Sequence, residues 1–347
     1  MRYLWQISAF IGLGLLITST VLVAISTVIL QTSKQEAAEL IGFDMDLGFD
    51  GFFVGPESNF FQCRELQSNF TNQAELHAIQ FQGFPNTSPY SEGVVAQIAL
   101  RHCDYPVGKR SYFSCDDVPR GCQQILYSWS PGTDPLVMPS VVGVPFGPKG
   151  YNNLLLRIHY INPSEVTYID NSRITVSLTP ELRPYTAGYL LLGPSSKLIL
   201  DHSKTNIPPG QNNFTIGGDC PPQTISSIID GIPGKSSFKV ITSTPVGHGI
   251  LTNLTSILKR NGQTYELSSN GTFVYGQTST IPLNVNVYSG DEIVTECTFN
   301  STSRTKTTPG GYDNQSELCF NYLLYYPAAN AIRCEGNLPI TLLASAS

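Results

Sequence analysis

Beyond residue 47 the chain is a succession of short β-type runs with no long amphipathic helical pattern between them, and this restricts the fold more than any other feature of the sequence. Runs at residues 94–100, 154–160, 173–178, 238–242, 250–259, 283–288, 293–299 and 318–326 are dense in Val, Ile, Leu, Thr and aromatic residues, with turn residues separating them. A parallel α/β fold needs a helix at each crossover, so the pattern predicts an all-β body of antiparallel sandwiches. The 347 residues leave room for two modest domains after an N-terminal segment. The stretch Gly193-Pro194-Ser195-Ser196 marks a boundary, giving expected domains at residues 47–192 and 193–340.

Only 13% of residues are charged, while Gly (30), Pro (24), Tyr (17) and Phe (17) are abundant, as in a turn-rich β protein. A net charge of -6 without a basic block excludes nucleic acid as a partner, because phosphate neutralisation needs clustered Lys and Arg. The eight cysteines, Cys63, Cys103, Cys115, Cys122, Cys220, Cys297, Cys319 and Cys334, form no Cys-x-x-Cys zinc pair. They indicate disulfides in an oxidising compartment. Sequons at Asn69, Asn86, Asn213, Asn253, Asn270, Asn300 and Asn314 point the same way and imply N-linked glycans that hydrate a surface poor in charge. Asn253, set among strand-type residues, is the weakest of them.

From residue 3 to residue 30 no charge occurs, and residues 11–30 are apolar enough to cross a bilayer as a helix. The run is longer than the apolar core of a cleaved signal peptide, which predicts an uncleaved signal anchor. Arg2 precedes it, while Lys34, Glu36 and Glu39 follow, so the N-terminus is expected in the cytoplasm and the body outside or in the lumen. Residues 1–40 then comprise the cytoplasmic start, a single transmembrane helix and a short linker. Small and polar residues in this helix, among them Gly12, Gly14, Ser19 and Ser26, suit packing against other membrane subunits.

No Gly-x-Ser-x-Gly elbow, Walker loop, dinucleotide fingerprint or His-Glu-x-x-His is present. The pair Gly217-Gly218 reads as a turn, and the tyrosines of residues 322–326 as half core and half sheet face. Two segments carry more. Leu154-Leu155-Leu156-Arg157-Ile158-His159-Tyr160-Ile161-Asn162-Pro163 is one. The other runs from Gly290-Asp291 through Thr295-Glu296-Cys297-Thr298-Phe299-Asn300 and Gly310-Gly311 to Glu317-Leu318-Cys319-Phe320-Asn321-Tyr322 and Tyr325-Tyr326-Pro327. In order and content they resemble the catalytic core of the copper type II, ascorbate-dependent monooxygenases, the family of dopamine β-hydroxylase and peptidylglycine α-hydroxylating monooxygenase. Weaker similarity extends over most of residues 52–334.

The resemblance implies two jelly-roll-like sandwiches in tandem, each holding one copper in the family, with substrate between them. It also implies the pairings Cys63 with Cys115, Cys103 with Cys122, Cys220 with Cys334 and Cys297 with Cys319. In the family the first copper takes an adjacent His pair on a strand before a cysteine and the His of His-Tyr-x-Asn-Pro. Here the pair falls on Ala96 and Gln97, and His159 alone remains. The second copper takes a His-x-His and a Met, which fall on Val246, His248 and Leu318. A methyl, an amide and two hydrocarbon side chains do not replace imidazole or thioether donors.

His159 and His248 therefore read as hydrogen-bonded remnants, His159 facing Gln97. A rebuilt site using Asp201-His202 or Glu296 is the sharper alternative. On these grounds the expected protein is a non-catalytic, membrane-anchored, glycosylated ectodomain with no catalytic residue, metal or cofactor. It would serve as a structural or accessory subunit of a membrane or extracellular assembly. Two alternatives stand beside it: a copper-dependent monooxygenase with a rebuilt metal site, and a small-molecule or sugar-binding module using the cleft between the domains.

Overall fold

The computed structural model describes residues 42–67, 75–86, 93–109, 111–194, 206–269, 273–311, 316–331 and 333–334. The expected anchor helix, the sequons at Asn69, Asn270 and Asn314, and Asp201-His202 lie outside the described residues. Among the described residues no helix is long and apolar enough to cross a membrane.

The described body is all-β and forms two sandwiches in tandem. In the first, one sheet runs in the order Phe43–Gly48, Arg173–Thr179, Leu76–Phe84, Val142–Phe146, Tyr185–Thr186, with Leu136–Val137 also on Leu76–Phe84. The facing sheet runs Phe113–Ser114, Asn59–Gln67, Asn153–Ile161, Val95–His102, Gln124–Trp129. Phe81, Ile98, Leu100, Tyr127, Leu154, Leu156, Ile158 and Val176 interdigitate between them, each 0–1% exposed. The second sandwich packs Ile281–Tyr288, Ser237–Gly247, Cys319–Tyr326, Gly188–Leu192 and Arg333–Cys334 against Phe214–Cys220, Glu292–Phe299, Leu251–Arg260 and Gln263–Ser269. Phe238, Val240, Leu258, Val287, Leu323 and Tyr325 fill its core.

The sheets change over at Ala187: Tyr185–Thr186 pairs with the first sandwich and Gly188–Leu192 with the second. Tyr189, Ile241 and Leu324 from the second sandwich join the first core, so apolar packing is continuous between the halves. The one α-helix among the described residues, Pro222–Asp230, has proline at its start, where a missing N–H costs nothing. It buries Ile225, Ile228 and Ile229 at helical spacing.

The structure corrects one local reading. Phe214–Cys220 is a strand through Gly217 and Gly218, paired along its length with Glu292–Phe299. A Cβ on Gly218 would meet the Gly193 carbonyl oxygen at 2.2 Å, so glycine here permits close backbone approach and does not make a turn. Four disulfides pin the body: Cys63–Cys115, Cys103–Cys122, Cys220–Cys334 and Cys297–Cys319. Cys220–Cys334 closes the longest loop, 114 residues, and ties the last strand of one sheet to the sheet facing it.

Candidate functional site at the sandwich interface

Alternation along two neighbouring strands sets one face of the first sandwich toward the second. On Val95–His102 that face carries Gln97, Ala99 and Arg101; on Asn153–Ile161 it carries Leu155, Arg157 and His159. The register places His159 opposite Gln97, Arg157 opposite Ala99 and Leu155 opposite Arg101. His102, with the other parity, packs its ring against Tyr151 at 5.0 Å and takes no part. Ala96 lies at the β-bulge beside Gln97, where the register against Asn153–Ile161 shifts, and is buried at 3% exposure.

His159 is fully engaged. Its Nδ1 lies 3.0 Å from the Gly276 carbonyl and its Nε2 2.7 Å from Asn59 Oδ1. Burial lowers its pKa, so the ring is neutral at pH 7 and has one N–H to give. Nδ1–H donates to Gly276, and Nε2 accepts from Asn59 once that amide is turned end for end, an assignment set by the hydrogen bonds. Phe61 stacks on the ring at 4.1 Å. Gly276 has φ +72°, and a Cβ there would meet His159 Nδ1 at 2.0 Å, so glycine is required for this contact.

Gln97 donates from Nε2 to Ser128 Oγ and to the Thr278 carbonyl, both at 2.9 Å, and Ser128 Oγ donates to the same carbonyl at 2.6 Å. Ser128 and Thr280 exchange further bonds through N–H to Oγ1 (3.0 Å) and N–H to carbonyl (2.8 Å). The segment 273–280 of the second sandwich is thereby laced across the face where Gln97 and His159 stand. Tyr275, on this segment, has its ring 6.2 Å from His159, 5.5 Å from His248 and 5.6 Å from Phe61.

On the other side His248 is half-buried at the end of Ser237–Gly247, its Nδ1 2.6 Å from the Ser316 carbonyl. Val246 and Leu318 sit in an apolar cluster with Phe320, Tyr322, Leu191 and Ile125. Glu317 accepts from Ile250 N–H at 3.0 Å through Oε1, while its Oε2 is buried without a partner. Burial pushes its carboxyl up to about 7. Glu296, the other carboxylate considered from the sequence, is exposed on the strand Glu292–Phe299.

Between the two faces remains a cavity of about 40 Å³ lined by Gln97, Arg101, Gln123, Arg157, His248, Tyr275, Leu318 and Tyr322. Both arginines are 6% exposed. Arg101 and Tyr275 lie outside the motif segments, and Arg157 and Glu317, though within them, are assigned no role there. Each arginine does interrupt an apolar strand run, Ile98-Ala99-Leu100-Arg101 and Leu154-Leu155-Leu156-Arg157, and in a chain so poor in charge that was the available signal. No cluster of three or more His, Cys, Asp or Glu side chains able to hold a metal occurs among the described residues.

Comparison with known proteins places this geometry. The N-terminal domain model of the copper type II ascorbate-dependent monooxygenases matches residues 45–167, and the C-terminal domain model matches residues 185–347. Canine dopamine beta-hydroxylase is 26% identical over 274 residues, which cover 76% of this chain and 42% of that protein. Human DBH-like monooxygenase protein 1 is 29% identical over 220 residues (61% and 35%), and Drosophila melanogaster MOXD1 homolog 1 is 28% identical over 224 residues (63% and 31%). The chain thus spans less than half the length of these curated relatives.

The matches overturn the expectation of a non-catalytic structural or accessory subunit. Both halves match the enzyme family's domains, and the relatives bear the names of hydroxylases and monooxygenases. Substitution at inherited ligand positions bears on how a metal is held at those positions, which is a narrower matter than whether the protein is an enzyme. With both domain models matched in order over most of its length, this chain belongs to the copper type II ascorbate-dependent monooxygenase family.

Proposed function

We propose that the protein is an oxidoreductase of the dopamine β-hydroxylase-like class, acting at the interface of its two sandwiches and using copper differently from the family pattern. The observation that carries this reading is the pair His159 and His248. One comes from each sandwich, both lie against the Tyr275 ring, and they stand at the two positions where the chain keeps a family-type histidine.

The residues at the six family positions do not fit copper held in the family's way. Ala96, Val246 and Leu318 offer hydrocarbon, Gln97 spends its amide on Ser128 and Thr278, and both nitrogens of His159 are hydrogen-bonded. One imidazole per sandwich does not make a catalytic site, which takes about three protein ligands. A copper held through His159 or His248 therefore has to draw its remaining donors from outside the six family positions. What the described residues do in place is exclude water from the interface, through Tyr275 and the apolar cluster, and fix the Gly276–Thr280 segment through Gln97 and Ser128. The sugar-binding alternative draws no support from the family matches, which are to monooxygenase domains in both halves.

The body is read as lumenal or extracellular, held by an anchor helix at residues 11–30, carrying N-glycans and meeting other subunits in the membrane. The four disulfides support the oxidising compartment. The test is copper analysis and ascorbate-supported oxygen consumption of the full chain expressed in an animal cell and purified in mild detergent. Dopamine and tyramine, named in relatives, serve as first substrates. Stoichiometric copper and oxygen uptake, both lost in His159→Ala or His248→Ala, is the expected result. Substoichiometric copper after loading, with no oxygen uptake, would refute the proposal.

A further inference from the structure

Arg101 and Arg157 are the least accounted-for charges in the molecule. They project from neighbouring strands onto the same cavity, and neither takes part in the ion pairs Lys149–Glu75, Arg173–Asp46, Lys259–Glu292 and Arg260–Asp291. Arg101 Nη1 donates to the Gln123 carbonyl at 2.9 Å and more loosely to that of Cys122, while its Nε is buried with no partner. Arg157 donates to the carbonyls of Cys115 (3.2 Å) and Asp116 (2.9 Å) and to the Tyr275 side chain, and lies over the Phe61 ring. Asp116 and Asp117 act on Arg157 through space. Two guanidiniums buried side by side without a carboxylate in contact are costly unless something neutralises them.

We propose that the cavity between the sandwiches binds a small oxyanion, a carboxylate or its inorganic counterpart, held by Arg101 and Arg157. The rigid fork of donors on a guanidinium suits a planar or tetrahedral oxyanion, and both guanidinium side chains belong to residues that line the cavity. A water needs about 10–15 Å³ of such space, so a cavity of about 40 Å³ takes a few waters or one small oxyanion. Burial pushes the Arg101 guanidinium down to about 9, with repulsion from Arg157 adding to it, which is the mark of a charge that lacks its counter-ion. The field of the two guanidiniums favours an anionic ligand, or an anionic group of a ligand, within this small cavity. The assignment concerns binding and stands apart from the oxidative reading: loss of turnover leaves it untouched, and loss of anion binding leaves copper content untouched.

The experiment titrates sodium formate and sodium sulfate into the full glycosylated chain at constant ionic strength, with sodium chloride as the reference. Binding is followed by calorimetry and by Tm. Saturable binding of at least one anion, with Tm rising as the logarithm of its concentration above Kd, is expected. Formate alone identifies a carboxylate site and sulfate alone a tetrahedral one. Arg101→Met should weaken binding by about tenfold or more and hold or raise Tm in anion-free buffer, because it removes an uncompensated buried charge while keeping the stem. Arg101→Lys, which keeps the charge and loses the fork, should also weaken binding by about tenfold and serves if the methionine variant does not fold. The proposal fails if neither anion differs from chloride, or if binding is unchanged in the folded Arg101 variant.

Discussion

Glu317→Gln tests how the interface stores a buried proton. In the folded protein Glu317 Oε1 accepts from Ile250 N–H and Oε2 has no partner, and burial raises the carboxyl from 4.5 to about 7. The folded state therefore binds more protons than the unfolded chain between those two values. Stability from this group is complete below about pH 4.5, falls by about 1.4 kcal/mol per pH unit as pH rises through the window, and levels off above about 7. The whole span is about 3 kcal/mol. Gln keeps the carbonyl for Ile250 and cannot ionise, so the variant should match the wild type near pH 4.5 and exceed it by up to about 3 kcal/mol at pH 8. Urea unfolding followed by fluorescence, dominated in the core by Trp129, measures this at half-unit steps of pH. A stability difference between variant and wild type that stays constant with pH, or that grows on acidification, would refute the reasoning. It would mean that Glu317 is ionised in the fold and compensated by a group other than those facing it, which are the Ile250 and His248 backbone and, at a distance, Arg304.

Other outcomes follow from the same interface. Tyr275→Ala removes a half-buried ring that touches His159, His248 and Phe61, and should cost about 2–4 kcal/mol while raising the reactivity of both histidines toward diethyl pyrocarbonate, read by mass spectrometry. Gln97→Leu leaves the Thr278 carbonyl with Ser128 as its side-chain donor and should cost about 1–3 kcal/mol in chemical unfolding. Glycan mapping should find Asn213 occupied, since it is exposed, and Asn253 bare, since its Oδ1 is buried within a paired strand.

Much of the fold was legible because strand periodicity is local. The expected runs at residues 154–160 and 293–299 became Asn153–Ile161 and Glu292–Phe299. Strands with mixed chemistry escaped notice: Asn59–Gln67 carries Arg64 and Glu65, and Phe214–Cys220 carries two glycines, and each is made a strand by the neighbours it pairs with. The site was half legible. His159 and Gln97 were matched to family positions by motif, and the register sets them opposite each other on neighbouring strands. The inference drawn from lost ligands to lost catalysis was wrong in kind, because it read the function of the whole family scaffold from six positions.

The sequence by itself determined the β architecture, a fully paired set of cysteines and the family, since these rest on periodicity, an even cysteine count and ordered motifs. Tertiary structure alone decided what fills the interface. Residues 273–280 carry no motif, yet they lie across a sheet face laid down about 120 to 180 residues earlier, as the Gly276–His159 and Thr278–Gln97 bonds record (separations 117 and 181). Arg101 and Arg157 stand 56 positions apart in sequence and become neighbours through antiparallel pairing. Local patterning tells each side chain which face of its strand to take. Which other face it then meets is settled by packing the two sandwiches together, and that packing buries two positive charges around one small cavity.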